Sequence, residues 1–243
     1  MRGVVAESGR EESKARAASF AAICKMYSQN STRGQWRAHG RYIARESARS
    51  DHSHEPGFDE HSRNRDVAAR LGEWQSAGDE RLSKIIVSPE FGGRVELERL
   101  TRDLMQRMEQ DLGTRLEWVA VAHFNTDNPH VHVALRGVRD TGQALTLGRD
   151  YIKLGLRNLA ADLCTRQLGY RSQTDVVEAQ HREVRQERFT SLDRAIARED
   201  PGVAGAEGFA VRRDPAERRN QFVVARLQML KEMGLAEPVT DHE

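Results

Sequence analysis

The chain has 243 residues, and its 38 lysine and arginine residues against 37 acidic ones give a formal net charge of +1. This length is sufficient for one substantial core with an appendage, and the near-zero net charge excludes a chain that is polybasic overall. No apolar run approaches about 18 residues, and no signal-peptide segment opens the chain. Cys24 and Cys164 are too few for a disulfide framework or a zinc site. We therefore expect a cytoplasmic protein without membrane insertion.

The first third of the chain predicts two strands and one helix. Residues 1–16 are polar and predict a disordered N-terminus. The apolar stretch 19–27 (SFAAICKMY) predicts a strand, and polar N-capping residues precede a helix over 33–48. Residues 49–65 have no apolar periodicity and predict a mobile loop, whereas KIIVS at 84–88 predicts the second strand.

A strand hairpin between two helices is predicted next. Leucine and methionine recur at helical spacing over 95–112, and Gly113 ends that helix. The segments 116–124 and 130–138 predict two strands joined by a turn with the sequence NTDNP. A long amphipathic helix over about 149–168 follows.

The C-terminal part is charged and predicted to be helical, with a break at 200–208 and a last helix over 221–237. The hairpin and the long helices together predict an α+β domain over residues 17–175, built on an antiparallel sheet with flanking helices. Residues 176–243 form a helical C-terminal extension in this interpretation, and their last helix is typical of a partial winged helix whose wing is missing.

Three histidines near the hairpin turn are the candidate metal ligands. His130 and His132 are two residues apart on a strand and therefore share one face. In an antiparallel hairpin His123 would lie opposite His130, with Cβ atoms roughly 5 Å apart. Three protein ligands with open positions are typical of a catalytic metal centre. The alternative is that these histidines are structural residues of the strands.

Two polar residues near this cluster, an aspartate and a serine, each allow two interpretations. Asp127 could orient one imidazole through its second nitrogen, or it could be an ordinary turn-forming residue. Ser88 could contact substrate at a strand end, or Ser88-Pro89-Glu90 could be a helix start.

Three segments resemble the motifs of one family: the HVHV pair with upstream His123, WRAHGRYIARE at 36–46, and IIVSPE at 85–90. The family is the HUH endonucleases, specifically the conjugative relaxases and plasmid mobilisation nucleases of the single-tyrosine type. The resemblance covers roughly residues 17–198. Many relaxases carry an acid two residues after the first histidine, where this chain has Asn125, which leaves Asp127 as the candidate carboxylate.

The resemblance implies a DNA relaxase that nicks single-stranded DNA at a transfer origin and keeps the 5′-phosphate covalently on Tyr42. It also implies a divalent ion on the three histidines, DNA contact by Ser88, accessory relaxosome proteins and a type IV coupling protein as partners. Imidazole ligands favour manganese, zinc or another transition ion, while the family also allows magnesium, so the ion stays open. Tyr27 is the rival nucleophile, but it lies at a predicted strand end without nearby arginines.

Arginine dominates the cations, since lysine stands only at positions 14, 25, 84, 153 and 231 and 33 of the 38 cationic side chains are therefore arginine. A GC-rich coding bias explains this excess as well as phosphate binding does, so the location of the arginines has to decide. Arg37, Arg41 and Arg45 recur at i+4 on the helix that carries Tyr42, which predicts a phosphate-binding stripe for single-stranded DNA.

Two other functions remain open from the sequence. One is a sequence-specific DNA-binding module or degenerate autorepressor, in which the histidines are structural and the C-terminal helices recognise DNA. The other is a replication initiator with the same metal motif, although such proteins commonly carry the tyrosine after the histidines.

Overall fold

A computed structural model describes residues 20–46, 56–199 and 218–237, without the side chains of residues 20–26, 46, 199 and 218–220. The predicted disordered N-terminus, the predicted break at 200–208 and residues 49–55 of the predicted loop lie outside the described residues.

The described part is an antiparallel sheet flanked by helices. The strands are β1 (Phe20–Gln29), β2 (Gly57–Phe58), β3 (Arg63–Arg65), β4 (Arg81–Pro89), β5 (Trp118–His123) and β6 (His130–Arg136). The helices are α1 (Gln35–Glu46), α2 (Val67–Ser76), α3 (Leu97–Leu112), α4 (Leu156–Leu168), α5 (Gln173–Val184), α6 (Ser191–Glu199) and α7 (Arg218–Glu232). The order of the six strands in the sheet is β1-β4-β6-β5-β2-β3. The predicted α+β fold class is confirmed.

Helices cover both faces of the sheet. On the first face, Leu82, Val119, Val121 and Ala134 of the sheet pack against buried residues of α1 and α2. On the second face, alternate residues of β4, β5 and β6 pack against the apolar sides of α3 and α4 in a larger core. Strand side chains alternate between faces, so the first face is the one that carries all three histidines.

Helix α1 is held against the first face by two buried side chains and by its neighbour α2. Trp36 and Ile43 are seven residues apart, two helical turns, and both are almost fully buried. Between them, a Cβ added to Gly40 would lie 2.6 Å from the Cα of Ala68, so the two helices cross closely there. The backbone N–H of Trp36 donates to Oε1 of Gln75 at 3.2 Å, which satisfies one N–H group of the first turn.

The predicted loop over 49–65 is wrong where the structure describes it. Phe58 in β2 pairs with Ala120 of β5, and β3 pairs with β2, so both extend the sheet beyond the hairpin. Phe58 is buried and its ring contacts Trp118 edge-on at a centroid distance of 5.9 Å. Tertiary packing of one aromatic residue therefore orders a segment without apolar periodicity.

Helix α2 was not predicted from the sequence. The predicted helices at 95–112 and 221–237 are present as α3 and α7, with shifted ends. The carboxylate of Asp66 accepts from the backbone N–H of Ala69 at 2.8 Å and caps α2. Gly113 has a φ of 61°, the left-handed conformation that ends α3. The predicted helix at 149–168 begins as a π-helical turn over Tyr151–Gly155 before α4.

Contacts divide the chain into two units, one up to Arg171 and one from Ser172 onward. In the second unit the described residues form three helices, α5, α6 and α7, around Leu192, Ile196 and Val223. The sequence-based domain limits and the partial winged helix stay predictions. None of the helices that the structure describes is long and apolar enough to cross a membrane.

Candidate functional site

The register of the β5–β6 hairpin brings the three histidines together on the first face. His123 lies directly opposite His130, and His132 lies opposite Val121. Ring centroids are 5.2 Å apart for His123 and His130, 4.6 Å for His123 and His132, and 5.0 Å for His130 and His132. One ring nitrogen from each residue lies within 4.8 Å of the other two. The three imidazoles therefore converge on one point.

Backbone carbonyls orient two of these rings. Nε2 of His123 donates to the carbonyl oxygen of Ile43 at 2.8 Å, and Nδ1 of His130 donates to the carbonyl of Asn128 at 2.9 Å. Each bond selects the tautomer in which the other ring nitrogen keeps its lone pair. The first bond also ties the end of α1 to the cluster, one residue from Tyr42.

His132 has the charge state, and the ring nitrogens have the spacing, that a divalent ion needs. Burial, followed by the positive charges that His123, His130 and His39 would carry, lowers the pKa of His132 to about 3. Its imidazole is therefore neutral at neutral pH and able to act as a ligand. Nε2 of His130 and Nε2 of His132 are 3.1 Å apart. Two ligands about 2.0–2.1 Å from a tetrahedral transition ion lie roughly 3.4 Å apart, so these residues fit such an ion.

Gly92 provides the space for the turn that precedes His130. A Cβ added to Gly92 would lie 2.2 Å from the carbonyl oxygen of Pro129, whereas a Cβ added to Gly93 would meet no atom within 4 Å. Backbone atoms this close cannot relax by a change of rotamer. The approach of the Gly92–Arg94 turn to Pro129 therefore requires glycine at position 92.

We expect Gly92→Ala to lower the free energy of unfolding by about 1–3 kcal/mol, because the new methyl group overpacks the Pro129 backbone. Chemical denaturation of the two proteins measures this difference. Gly93→Ala, with open space around it, is the matched control and should change stability little. Equal effects at both positions would contradict the assigned role of Gly92.

Tyr42 lies on α1 beside a cavity that also reaches the histidine cluster. Its side chain is 47% exposed, and its ring lies nearly parallel to that of His39 at a centroid distance of 6.5 Å. Tyr42, His39, Lys84 and His132 all line one cavity of about 230 Å³. The structure therefore brings the predicted nucleophile and one predicted metal ligand to the same space.

His39 and Lys84 are the polar residues lining this cavity that the sequence analysis did not propose as site residues. Burial and, to a smaller extent, the positive charge of Lys84 lower the pKa of His39 to about 4. His39 is therefore neutral at neutral pH. The sequence did contain a signal for Lys84. Side chains alternate between faces along a strand, so Lys84, four residues before Ser88, must lie on the same face as Ser88.

Tyr27 lies on the other side of the sheet from the histidines. It pairs with Ser83 across β1 and β4, and directly opposed residues in an antiparallel pair point to the same face. Ser83 alternates with Leu82 and Lys84 of the first face, so Tyr27 belongs to the second face. It is as exposed as Tyr42, at 47%, but β4 and the sheet separate it from the cluster.

Asp127 and Ser88 differ in how the structure places them. Asp127 is exposed, and within the described residues no hydrogen bond joins its carboxylate to a histidine ring. The acceptor at His130 is instead the carbonyl of Asn128. Ser88 is a partly buried residue of β4 on the histidine face, and no α-helix starts there, because α3 begins at Leu97. Their functional roles stay predictions.

The predicted arginine stripe of α1 is exposed but divides into two environments. Arg37 lies over α2, since a Cβ added to Gly72 would be 2.7 Å from its Nε atom. Arg41 and Arg45 line a shallow cavity of about 450 Å³ that Arg65 also lines. Two of the three stripe arginines therefore converge with a third cation that the sequence did not indicate.

Comparison with known families identifies a matching family. A family model described as "Relaxase: MobA/VirD2-like, nuclease domain" matches residues 42–167, just over half of the chain. The matched span contains Tyr42, Lys84 and all three histidines. No curated protein matches the chain.

Proposed function

Since this chain belongs to the MobA/VirD2-like relaxase nuclease family, we propose that it nicks single-stranded DNA at a transfer origin with Tyr42 as the nucleophile. The family makes the chain a DNA endonuclease or transesterase, and a divalent metal ion is implied with it. The observation that carries the finer assignment is the shared cavity of Tyr42 and His132.

The proposed reaction is a transesterification at phosphorus. The phenol oxygen of Tyr42 forms a bond to the scissile phosphorus as the bond from phosphorus to the 3′-oxygen breaks. The phenol proton leaves to solvent, and the leaving 3′-oxygen takes up a proton from solvent. The 5′-phosphate stays on Tyr42 as a phosphodiester, so its energy is conserved and the strand can be rejoined without ATP.

His123, His130 and His132 would hold the divalent ion, because their nitrogens converge and two of them have a fixed tautomer. When bound there, such an ion supplies Lewis-acid polarisation of the phosphate. A free phenol has a pKa near 10 and is a weak nucleophile at neutral pH, so Tyr42 needs an electropositive site. The carbonyl of Ile43 couples the two parts, since it orients His123 from the residue next to Tyr42.

The biological role we propose is conjugative mobilisation. In that role the partners are single-stranded DNA of a transfer origin, accessory relaxosome proteins and a type IV coupling protein. The family supports single-stranded DNA as a partner, and the protein partners follow from the proposed role alone.

The arginines of α1 give a test of the proposed DNA path. Replacing Arg37, Arg41 and Arg45 together is expected to weaken binding of single-stranded DNA and to flatten its dependence on salt. At roughly 0.7 per lost phosphate contact, the slope of log K against log salt should fall by about 2. Fluorescence anisotropy over a salt series measures both quantities.

A triple replacement of exposed arginines elsewhere, at Arg99, Arg107 and Arg166, is the matched control. These side chains line a cavity between α3 and α4 on the second face. The control should leave the slope unchanged if DNA follows α1. A slope that stays at its wild-type value in the α1 variant would place the DNA path elsewhere.

The experiment that tests the proposed function is incubation of the protein with single-stranded oligonucleotides that tile the neighbouring transfer region, with manganese or magnesium. We expect one strand to give a protein–DNA adduct that survives denaturant. No adduct with any strand, under either ion, would overturn the proposed function.

A further inference from the structure

We propose that Lys84 is a phosphate-binding residue of the nicking site, where its ammonium group contacts the non-bridging oxygens of the scissile phosphodiester. This proposal rests on the proposed function, since it assumes that Tyr42 attacks that phosphodiester. It adds a substrate contact that neither the histidines nor the arginines of α1 provide.

Strand register places Lys84 beside the reacting groups. Ile86 of β4 lies opposite His132 of β6, and Lys84 lies opposite Ala134, one same-face step further along both strands. Lys84 and His132 therefore project from neighbouring strands onto the same face, diagonally related. Helix α1 covers this part of the face and contributes Tyr42 and His39.

The cavity between these groups selects where the phosphate would lie. It has a volume of about 230 Å³, and its polar lining consists of Tyr42, His39, Lys84 and His132. A phosphodiester within reach of both Tyr42 and an ion on His132 has to enter this space. Among the described residues that line it, Lys84 is the one with a lysine or arginine side chain.

The charge of Lys84 has no acidic partner among the described residues. The side chain is partly buried, and burial lowers its pKa. Burial is the main cause that lowers the pKa of His39, and the positive charge of Lys84 is the second cause. A partly buried cation without a carboxylate is costly, and an anion that enters the cavity would offset that cost.

A lysine rather than an arginine at position 84 is consistent with a single close contact to the phosphate. The chain uses arginine at 33 of its 38 cationic positions, yet the cation at this cavity is lysine. An ammonium group is a compact point charge on a flexible stem, whereas a guanidinium is a wide planar fork. In a loose phosphoryl-transfer transition state the charge spreads over the equatorial oxygens, where one close ammonium contact stabilises it.

The test compares binding of two oligonucleotides that span the nick position mapped with the wild-type protein. One has the natural phosphodiester at the scissile position and the other a neutral methylphosphonate. All binding is measured in the Tyr42→Phe background, so that no strand is cut, at one fixed manganese concentration. The dissociation constant of the methylphosphonate strand divided by that of the phosphodiester strand reports protein contacts to the phosphate charge.

We expect Lys84→Met to reduce this ratio by about 10-fold or more, the size of one charge-assisted hydrogen bond. Lys153→Met removes an exposed lysine from the second-face side and should leave the ratio unchanged. If Lys84→Met does not fold by circular dichroism, Lys84→Gln takes its place with the same expectation.

The outcomes separate this inference from the function on which it rests. Adduct formation by wild type together with an unchanged ratio in the Lys84 variant overturns the Lys84 site alone. Failure of wild type to form any adduct overturns the proposed function, and the phosphate site with it. A reduced ratio that also appears in Lys153→Met would assign the effect to overall charge and overturn the site.

Discussion

Tyr42→Phe is expected to abolish formation of the denaturant-resistant protein–DNA adduct, a loss of at least about 10⁴-fold in rate, because no phenol oxygen remains to attack phosphorus. The change removes one oxygen and keeps the ring. Tyr42 is about half exposed and α1 is anchored by the buried Trp36 and Ile43, so the fold should be retained. Gel electrophoresis in denaturant measures the adduct, and anisotropy checks that the variant still binds single-stranded DNA.

Tyr27→Phe is the matched control, since Tyr27 has the same exposed fraction, 47%, on the opposite face of the sheet. It should form the adduct at the wild-type rate. Loss of the adduct in Tyr27→Phe with retention in Tyr42→Phe would move the nucleophile to β1 and contradict the assignment to α1.

The second large effect is expected at the histidine cluster. His123→Ala, His130→Ala and His132→Ala each remove one of three converging nitrogens. Loss of a ligand should exceed the 10–100-fold that outer partners of ligands contribute, so manganese affinity should fall by more than about 100-fold. Isothermal titration calorimetry with manganese measures the affinity, and adduct formation should fall in parallel.

His61→Ala is the control for this series, because His61 is an exposed histidine whose Nε2 atom lies 3.3 Å from a carboxylate oxygen of Glu60. Its manganese affinity should equal that of wild type. Wild-type affinity in all three cluster variants would show that any bound ion lies elsewhere in the protein.

The convergence of the histidines could be predicted because it depends on local geometry. Period two along β6 puts His130 and His132 on one face, and a short turn fixes the register that sets His123 opposite His130. The buried face of α1 could also be predicted from the sequence, since Trp36 and Ile43 are two helical turns apart.

The short strands β2 and β3 could not be predicted in this way. Each has at most three residues. Pairing with β5 and burial of Phe58 order β2, and β3 in turn pairs with β2. Helix α2 was missed although a signal existed: Asp66 as N-cap, followed by Val67, Leu71 and Trp74 at helical spacing.

That Tyr42 and Lys84 line the same cavity also could not be predicted from sequence periodicity. It requires α1 to pack across β4 and β6 at one place, which the crossing at Gly40 and the bond from His123 to Ile43 determine. These contacts join residues distant in sequence, Gly40 with Ala68 and His123 with Ile43, so local patterns identify the two side chains but not their shared cavity.

The most direct measurement of the central claim is peptide mapping of the wild-type adduct by mass spectrometry. After nuclease digestion of the bound strand and proteolysis, we predict a nucleotide linked through its 5′-phosphate to the peptide that contains Tyr42. A linkage on a peptide with any other residue, or through a 3′-phosphate, would contradict the account.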